Sequence, residues 1–383
     1  MRGHIQVASL RGIPIRVHFT FLLILPFLAW SFAQAFRGAA AAASVPPERL
    51  MGSPWLWGLG VAVALFVSVL LHELAHSLYA LHKGGAVSDI SLMMIGGVSR
   101  ITRMPESSRH EALMALAGPV TSLAIGALSL GTHVLLASAN SFNLSFAFFY
   151  LGSLNIFLGL FNLLPAFPMD GGRILRALLT GRLGRVRATQ VAGWVGQGFA
   201  VLFGLYALLS GNFVLLFIAF FVFMGAAAES RDVLLQSRLA GVSVGEVMVR
   251  RTEAVEVEQS LREALERLHG ERRRAMPVVE AGQVVGMLVL DDVRRVPVRE
   301  LDGRQVRELS VAAPVLTPES SAWDALKEMS QRRLPQLPIT EHGVLVGTLT
   351  QEDLVRALEL RELGESHGQG PWGMGGRENQ SPT

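Results

Sequence analysis

Residues 65–81 read LFVSVLLHELAHSLYAL, an apolar run that carries His72, Glu73 and His76. With its upstream neighbours it forms an apolar stretch over 55–81, and a bilayer is crossed by roughly 17–25 helical residues. On a helix, positions i and i+4 lie one turn apart on the same face. His72 and His76 therefore present both imidazoles to one metal ion. Glu73 is adjacent, where a carboxylate can take a proton from a metal-activated water. Ionisable groups at membrane depth are costly unless they are used, which favours a functional reading. The alternative is a helix end that emerges into the interface, with the polar side chains reaching for water.

The composition agrees with a membrane chain. Half of the 383 residues are hydrophobic and only 17% are charged, with a mean hydropathy of +0.40. Of the 31 acidic residues, six fall before residue 229: Glu48, Glu73, Asp89, Glu106, Glu111 and Asp170. An apolar part and a charged, water-facing part thus share one chain, which excludes collagen-like, disordered and single-domain soluble proteins. There is no cysteine, so any metal must be held by His, Asp or Glu. No basic block resembles a nucleic-acid-binding stripe, and no nucleic-acid partner is expected.

Further apolar spans are expected at 17–36, 111–139, 144–167, 188–209 and 212–228, giving six in all. An even number puts both termini on one side. The loops on that side carry twelve basic residues, from Arg2 to Arg187, against Arg37 and Arg49 on the other. The positive-inside rule then makes both termini and the C-terminal region cytosolic. Val87 to Thr102, VSDISLMMIGGVSRIT, reads as a short hairpin after the second span. It is either re-entrant, with an edge open to an extended peptide, or an ordinary cytosolic hairpin.

Two histidines and a water leave a tetrahedral zinc one ligand short. The fourth span runs into NLLPAFPMDGGR, residues 162–173, where Pro165 and Pro168 break the helix. Asp170 there is the only acidic residue between Glu111 and Glu229. It is either the third ligand or the cap of a helix starting near Gly172. The Asn162 amide either caps locally or holds a substrate strand.

HELAH in one span and NLLPAFPMDGG in a later one resemble the site-2 protease family of intramembrane zinc metalloproteases. GIPIRVHFTF at 12–21, Gly96-Gly97 and Gly118-Pro119 extend the resemblance. The chain is similar to the bacterial and archaeal branch with six spans and C-terminal CBS repeats. The resemblance implies one zinc ion per chain on His72, His76 and Asp170, with Glu73 as catalytic base. It also implies that Asn162 helps hold the substrate backbone or the oxyanion. The substrate would be a transmembrane or membrane-associated protein, cut in regulated intramembrane proteolysis. The alternative is a metal-ion transporter or channel regulated by CBS domains, although the spans show no internal symmetry.

Beyond Glu229 the pattern becomes short strands and amphipathic helices, in two copies. Val244-Gly-Glu-Val247 aligns with Val306-Arg-Glu-Leu309, and MPVVEAGQVVG at 276–286 aligns with LPITEHGVLVG at 337–347. This resembles a tandem CBS pair, which implies an adenine nucleotide (ATP, ADP or AMP) in the clefts and a homodimer through these domains. Thr350 and Asp353 match the ribose-contacting pattern. The first copy has Asp292 but Val289 in place of the threonine, a departure from that pattern at one of the two sites; dimerisation or substrate contact alone is the other reading.

The expected fold is therefore an α-helical polytopic membrane protein with a short hairpin after the second of six helices, followed by an α/β tandem CBS pair. The expected domains are a membrane metalloprotease over 1–230, CBS repeats over 231–300 and 301–363, and a disordered tail over 364–383, in the cell membrane.

Overall fold

Lipid offers no hydrogen bonds, so an apolar segment must satisfy its backbone within itself, and a helix does this. The computed structural model describes residues 4–94, 96–103, 107–138, 141–250 and 253–366. Six helices in it are long and apolar enough to cross a membrane. They are α1 (Phe19–Ala42), α2 (Pro54–His82), α3 (Ser108–Ser138), α4 (Phe142–Asn162), α5 (Asp170–Ser210) and α6 (Phe213–Leu239). The start of α2 is set locally: Ser53 caps it through a 3.3 Å bond from the Leu56 N–H, and Pro54 occupies the first turn. Its buried residues, including Val61, Phe66, His72, His76 and Ala80, form one stripe.

The fifth span departs from expectation. It was expected at 188–209, but α5 begins at Asp170 and is interrupted only at Gly184, which lies at φ 75° and ψ 161°. The arginines between 173 and 187 lower the hydropathy of this segment and hide its helical character. Arg176 among them is 1% exposed and ion-paired, so it is an interior residue and not a loop charge.

The N-terminus also differs. The first span was expected from residue 17, but α1 begins at Phe19 and Ile13–His18 form a strand. A four-stranded sheet runs β1 (His4–Leu10), β2 (Ile13–His18), β3 (Ala86–Met93), β4 (Gly96–Arg103) in spatial order. β2 and β3 are parallel, with Ile15 opposite Ile90, and the outer pairs are antiparallel. Ile13, Ile15, Ile90 and Leu92 bury the inner face at alternate positions. The expected hairpin is β3–β4, and β4 is an edge of the sheet.

From Leu234 a second compact unit begins. Its sheet runs β5 (Val249–Arg250), β10 (Val344–Thr350), β8 (Gln283–Val289), β7 (Ala275–Glu280), β6 (Val255–Glu256), with β9 (Gln336–Glu341) also on β10. Helices α7 (Val244–Val247), α8 (Leu261–Gly270), α9 (Leu290–Val293), α10 (Ala322–Arg332) and α11 (Gln351–Ser366) complete it. The two repeats exchange their lead-in segments. β5 pairs with β10 of the second repeat, while Val311 bridges to Met287 of the first. Val244 and Met248 accordingly pack with Ala325, Met329 and Leu349, and Val306 packs with Leu261, Leu268 and Leu288. α11 extends through Ser366, into the expected disordered stretch; residues 367–383 lie outside the described residues.

Candidate metal centre

Two helices bring the site together. α2 carries His72 and His76 one turn apart; α5 begins at Asp170, whose side chain turns towards them. His72 Nε2, His76 Nε2 and Asp170 Oδ2 stand 3.2 Å from one another on all three sides. The three residues are 4%, 4% and 8% exposed. The N-cap of α5 is Met169, so Asp170 is not the cap, and its carboxylate faces the two imidazoles.

The ring tautomers follow from the other nitrogens. His76 Nδ1 donates to the Met114 carbonyl at 2.7 Å, so in the neutral ring Nε2 carries the lone pair. His72 Nδ1 lies 2.9 Å from the Ser122 hydroxyl. Such partners fix ring orientation in histidine metal sites. Lone pairs converging in a buried place repel unless a cation sits among them. A tetrahedron with zinc–ligand arms of about 2.0–2.2 Å has edges of about 3.3–3.6 Å, close to the observed separation. Among the described residues this trio forms a group able to hold a metal ion.

Space for that ion is kept by α3. A Cβ at Gly118 would overlap Nε2 of both histidines. Glu73, one residue after His72, is half-buried and held by β4: its Oε2 accepts from the Ser99 N–H at 3.1 Å and from the Ser99 hydroxyl at 2.8 Å. Two imidazoles, one carboxylate and a neighbouring second carboxylate make the donor set of a hydrolytic zinc centre.

Residues 60–142 and 127–205 match peptidase family M50, and residues 244–299 and 306–360 match the CBS domain. Zinc metalloprotease MJ0392 of Methanocaldococcus jannaschii is 31% identical over 369 residues, spanning 95% of this chain and 99% of that protein. The chain belongs to peptidase family M50. The solved site-2 protease from Methanocaldococcus jannaschii is 34% identical, with a TM-score of 0.41, over 59% of this chain and 95% of its own. The CBS domain of the bacterial CNNM/CorC family Mg2+ transporter, solved with ATP, is 25% identical, with a TM-score of 0.31, over 34% of this chain and 97% of its own.

This M50 protein is a multi-pass membrane metalloprotease with a tandem CBS unit, which sets aside the transporter alternative. Asn162, the last residue of α4, is half-buried and donates its amide to the Leu158 carbonyl at 3.0 Å, a bond within its own helix. Thr350 and Asp353 bond each other: Asp353 Oδ2 accepts from the Thr350 hydroxyl at 2.7 Å and from its N–H at 2.9 Å, capping α11. Asp292 pairs with Arg295 at 3.1 Å. None of these three acidic or hydroxyl groups lines the cleft of about 470 Å³ between the repeats, which is bordered by Arg274, Asp291, Ser330, Arg333 and Gln351.

Three features escaped the sequence reading. Ser99 is one polar residue in a strand 26 residues from Glu73, and nothing local marks it. Ser122 lies in an apolar helix, where a lone serine is unremarkable. The third is Arg176, which binds Glu111 of α3 through Nε at 2.8 Å and Glu229 of α6 at 2.9 Å, with its guanidinium 5.1 Å above the Phe167 ring. An arginine with two distant acidic partners is invisible before folding.

Proposed function

We propose that the chain is an intramembrane zinc endopeptidase in which His72, His76 and Asp170 hold the metal and Glu73 is the general base. The mutual 3.2 Å approach of the three donor atoms beside Glu73 carries this reading. When bound, zinc supplies Lewis-acid chemistry: it acidifies a water and draws charge from the carbonyl under attack. Glu73 accepts the proton of that water and delivers it to the leaving amine. Met114 and Ser122 keep both imidazoles in the ligand orientation while this happens.

The substrate is a transmembrane or membrane-associated protein whose scissile segment unwinds, since a helix keeps its carbonyls bonded internally. The outer edge of β4 offers that unwound segment a strand to join, about 4.8 Å away and beside Glu73. Asn162 holds the substrate backbone or the oxyanion. One amide N–H is engaged with Leu158, and an amide has a second N–H and a carbonyl to offer.

Residues 1–230 form the metalloprotease, and the CBS repeats over 231–300 and 301–363 regulate it by binding an adenine nucleotide with Thr350, Asp353 and Asp292, and dimerise. With the buried Arg176 set aside, eleven basic residues against two favour cytosolic termini and a cytosolic CBS unit. The test is metal content and cleavage of a single-span substrate by detergent-purified wild type and Glu73→Gln. About one zinc per chain in both, with cleavage by the wild type alone, is the expected result. Zinc-free protein whose metal binding is indifferent to His72 and Asp170 would sink the assignment.

A further inference from the structure

The catalytic carboxylate is gripped by one residue of β4. Glu73 Oε2 accepts from both the backbone N–H of Ser99, at 3.1 Å, and the Ser99 hydroxyl, at 2.8 Å. Among the described residues, Oε1 has no protein hydrogen-bond partner.

A serine hydroxyl has one proton, and two oxygens of Glu73 lie within its reach: Oε2 and, at 3.1 Å, the main-chain carbonyl. The Ser77 hydroxyl bears on that choice. Ser77 is fully buried, one turn after Glu73 on the same face of α2, and donates to Ser99 Oγ at 3.1 Å. It fills the acceptor side of Ser99 and leaves the Ser99 proton for Glu73, with Oε2 the nearer oxygen. Gly97 completes the grip: Glu73 Cγ stands where a Cβ would be, so the stem of the side chain lies on the bare β4 backbone. A glutamate has three side-chain torsions to order, and a base works only when held within hydrogen-bond reach of its proton.

We infer that Ser99 is a positioning residue for the general base, with Ser77 orienting its hydroxyl. The pair fixes Oε2 against β4 and leaves Oε1 open to take the proton. This rests on the reading of Glu73 as the base.

The experiment uses full-length protein in liposomes and a single-span reporter whose transmembrane segment is softened with Gly and Pro. Ser99→Ala deletes the hydroxyl and keeps the backbone bond. Its kcat should fall roughly tenfold or more, as expected for a lost hydrogen bond to a charged group. KM, zinc content and thermal midpoint should stay at wild-type values. Ser99→Thr restores the hydroxyl and should recover kcat to within about threefold of wild type. Ser77→Ala should lose less than Ser99→Ala, and the double variant should be no slower than Ser99→Ala, because both act through one hydroxyl.

An unchanged kcat in Ser99→Ala overturns the inference. So does a raised KM with kcat intact, which would make Ser99 a substrate-strand contact. Loss of zinc or of thermal stability in both the Ala and Thr variants overturns it in favour of a structural role. Glu73→Gln is measured alongside: if it still cleaves, the reading of Glu73 has failed, whatever Ser99 does.

Discussion

Between α2 and α5 three donor atoms converge on one spot, whereas at the start of α11 Thr350 and Asp353 spend their bonds on each other. Both are sets of polar side chains that the sequence marks as functional. The first brings three donor atoms within reach of one cation. The second is a satisfied helix cap that needs no ligand. The difference teaches that a cation between α2 and α5 would find its donor atoms already gathered, while a ligand at the C-terminal unit must compete with bonds already made.

The strongest way to break the comparison is to fill the space reserved for the ion. Gly118→Ala places a methyl group against Nε2 of both histidines. Neither helix can give, because His76 is tied to Met114 of the same α3 through Nδ1. Zinc content should fall to near zero and cleavage with it, although no ligand has been altered. Elemental analysis of the purified variant checks this. Normal zinc content would mean that the packing of α3 on α2 is looser than the structure has it.

What the sequence made legible follows the same division. His72, Glu73 and His76 could be read because a helix converts fixed spacing into a fixed face, and Asp170 because a lone carboxylate stands out in an apolar stretch. The six helices were readable because lipid enforces length. The parallel pairing of β2 with β3 was not, since Ile15 meets Ile90 across 75 residues of chain that no local rule spans. Ser99 was hidden for the same reason. Arg176 was misread as a topology charge: its role depends on Glu111 and Glu229, one from α3 and one from α6. In the C-terminal unit the repeat was plain, but not the exchange by which Val249 and Val311 join the opposite repeats.

Arg176 supplies the next largest effect. Removing one partner of a buried ion pair leaves a charge uncompensated, which costs about 3–5 kcal/mol. Arg176→Met leaves Glu111, itself 3% exposed, facing an apolar chain with the half-exposed Arg185 at 3.7 Å as its cationic partner. It also releases the Phe167 loop that leads into Asp170. The unfolding midpoint in detergent should drop steeply, and zinc affinity should weaken with it. The double change Arg176→Met with Glu111→Gln should recover much of the stability, because no buried charge then stands alone. A single variant as stable as wild type would show that water reaches this network.

The smallest effect lies at the other end of the comparison. Asp353→Ala removes the carboxylate half of the capping box on α11 and leaves Thr350 Oγ1 to accept from the N–H of residue 353, so it costs at most about 1 kcal/mol. Without nucleotide the C-terminal unit should therefore lose only a few degrees of thermal midpoint. With AMP or ATP the two proteins should separate. A ligand at a hundred times its Kd adds about 2.7 kcal/mol to the protein that binds it, and nothing to one that has lost the site. The wild type should gain that increment only if the Thr350–Asp353 bonds rearrange to receive the ribose hydroxyls. Thermal scanning of full-length wild type and Asp353→Ala, with and without each nucleotide, reads both quantities at once. A nucleotide shift that survives in Asp353→Ala would move the binding site to the cleft lined by Arg274, Ser330 and Arg333. The α11 cap would then be structural alone, and the contrast between an open site and a self-satisfied one would hold without exception.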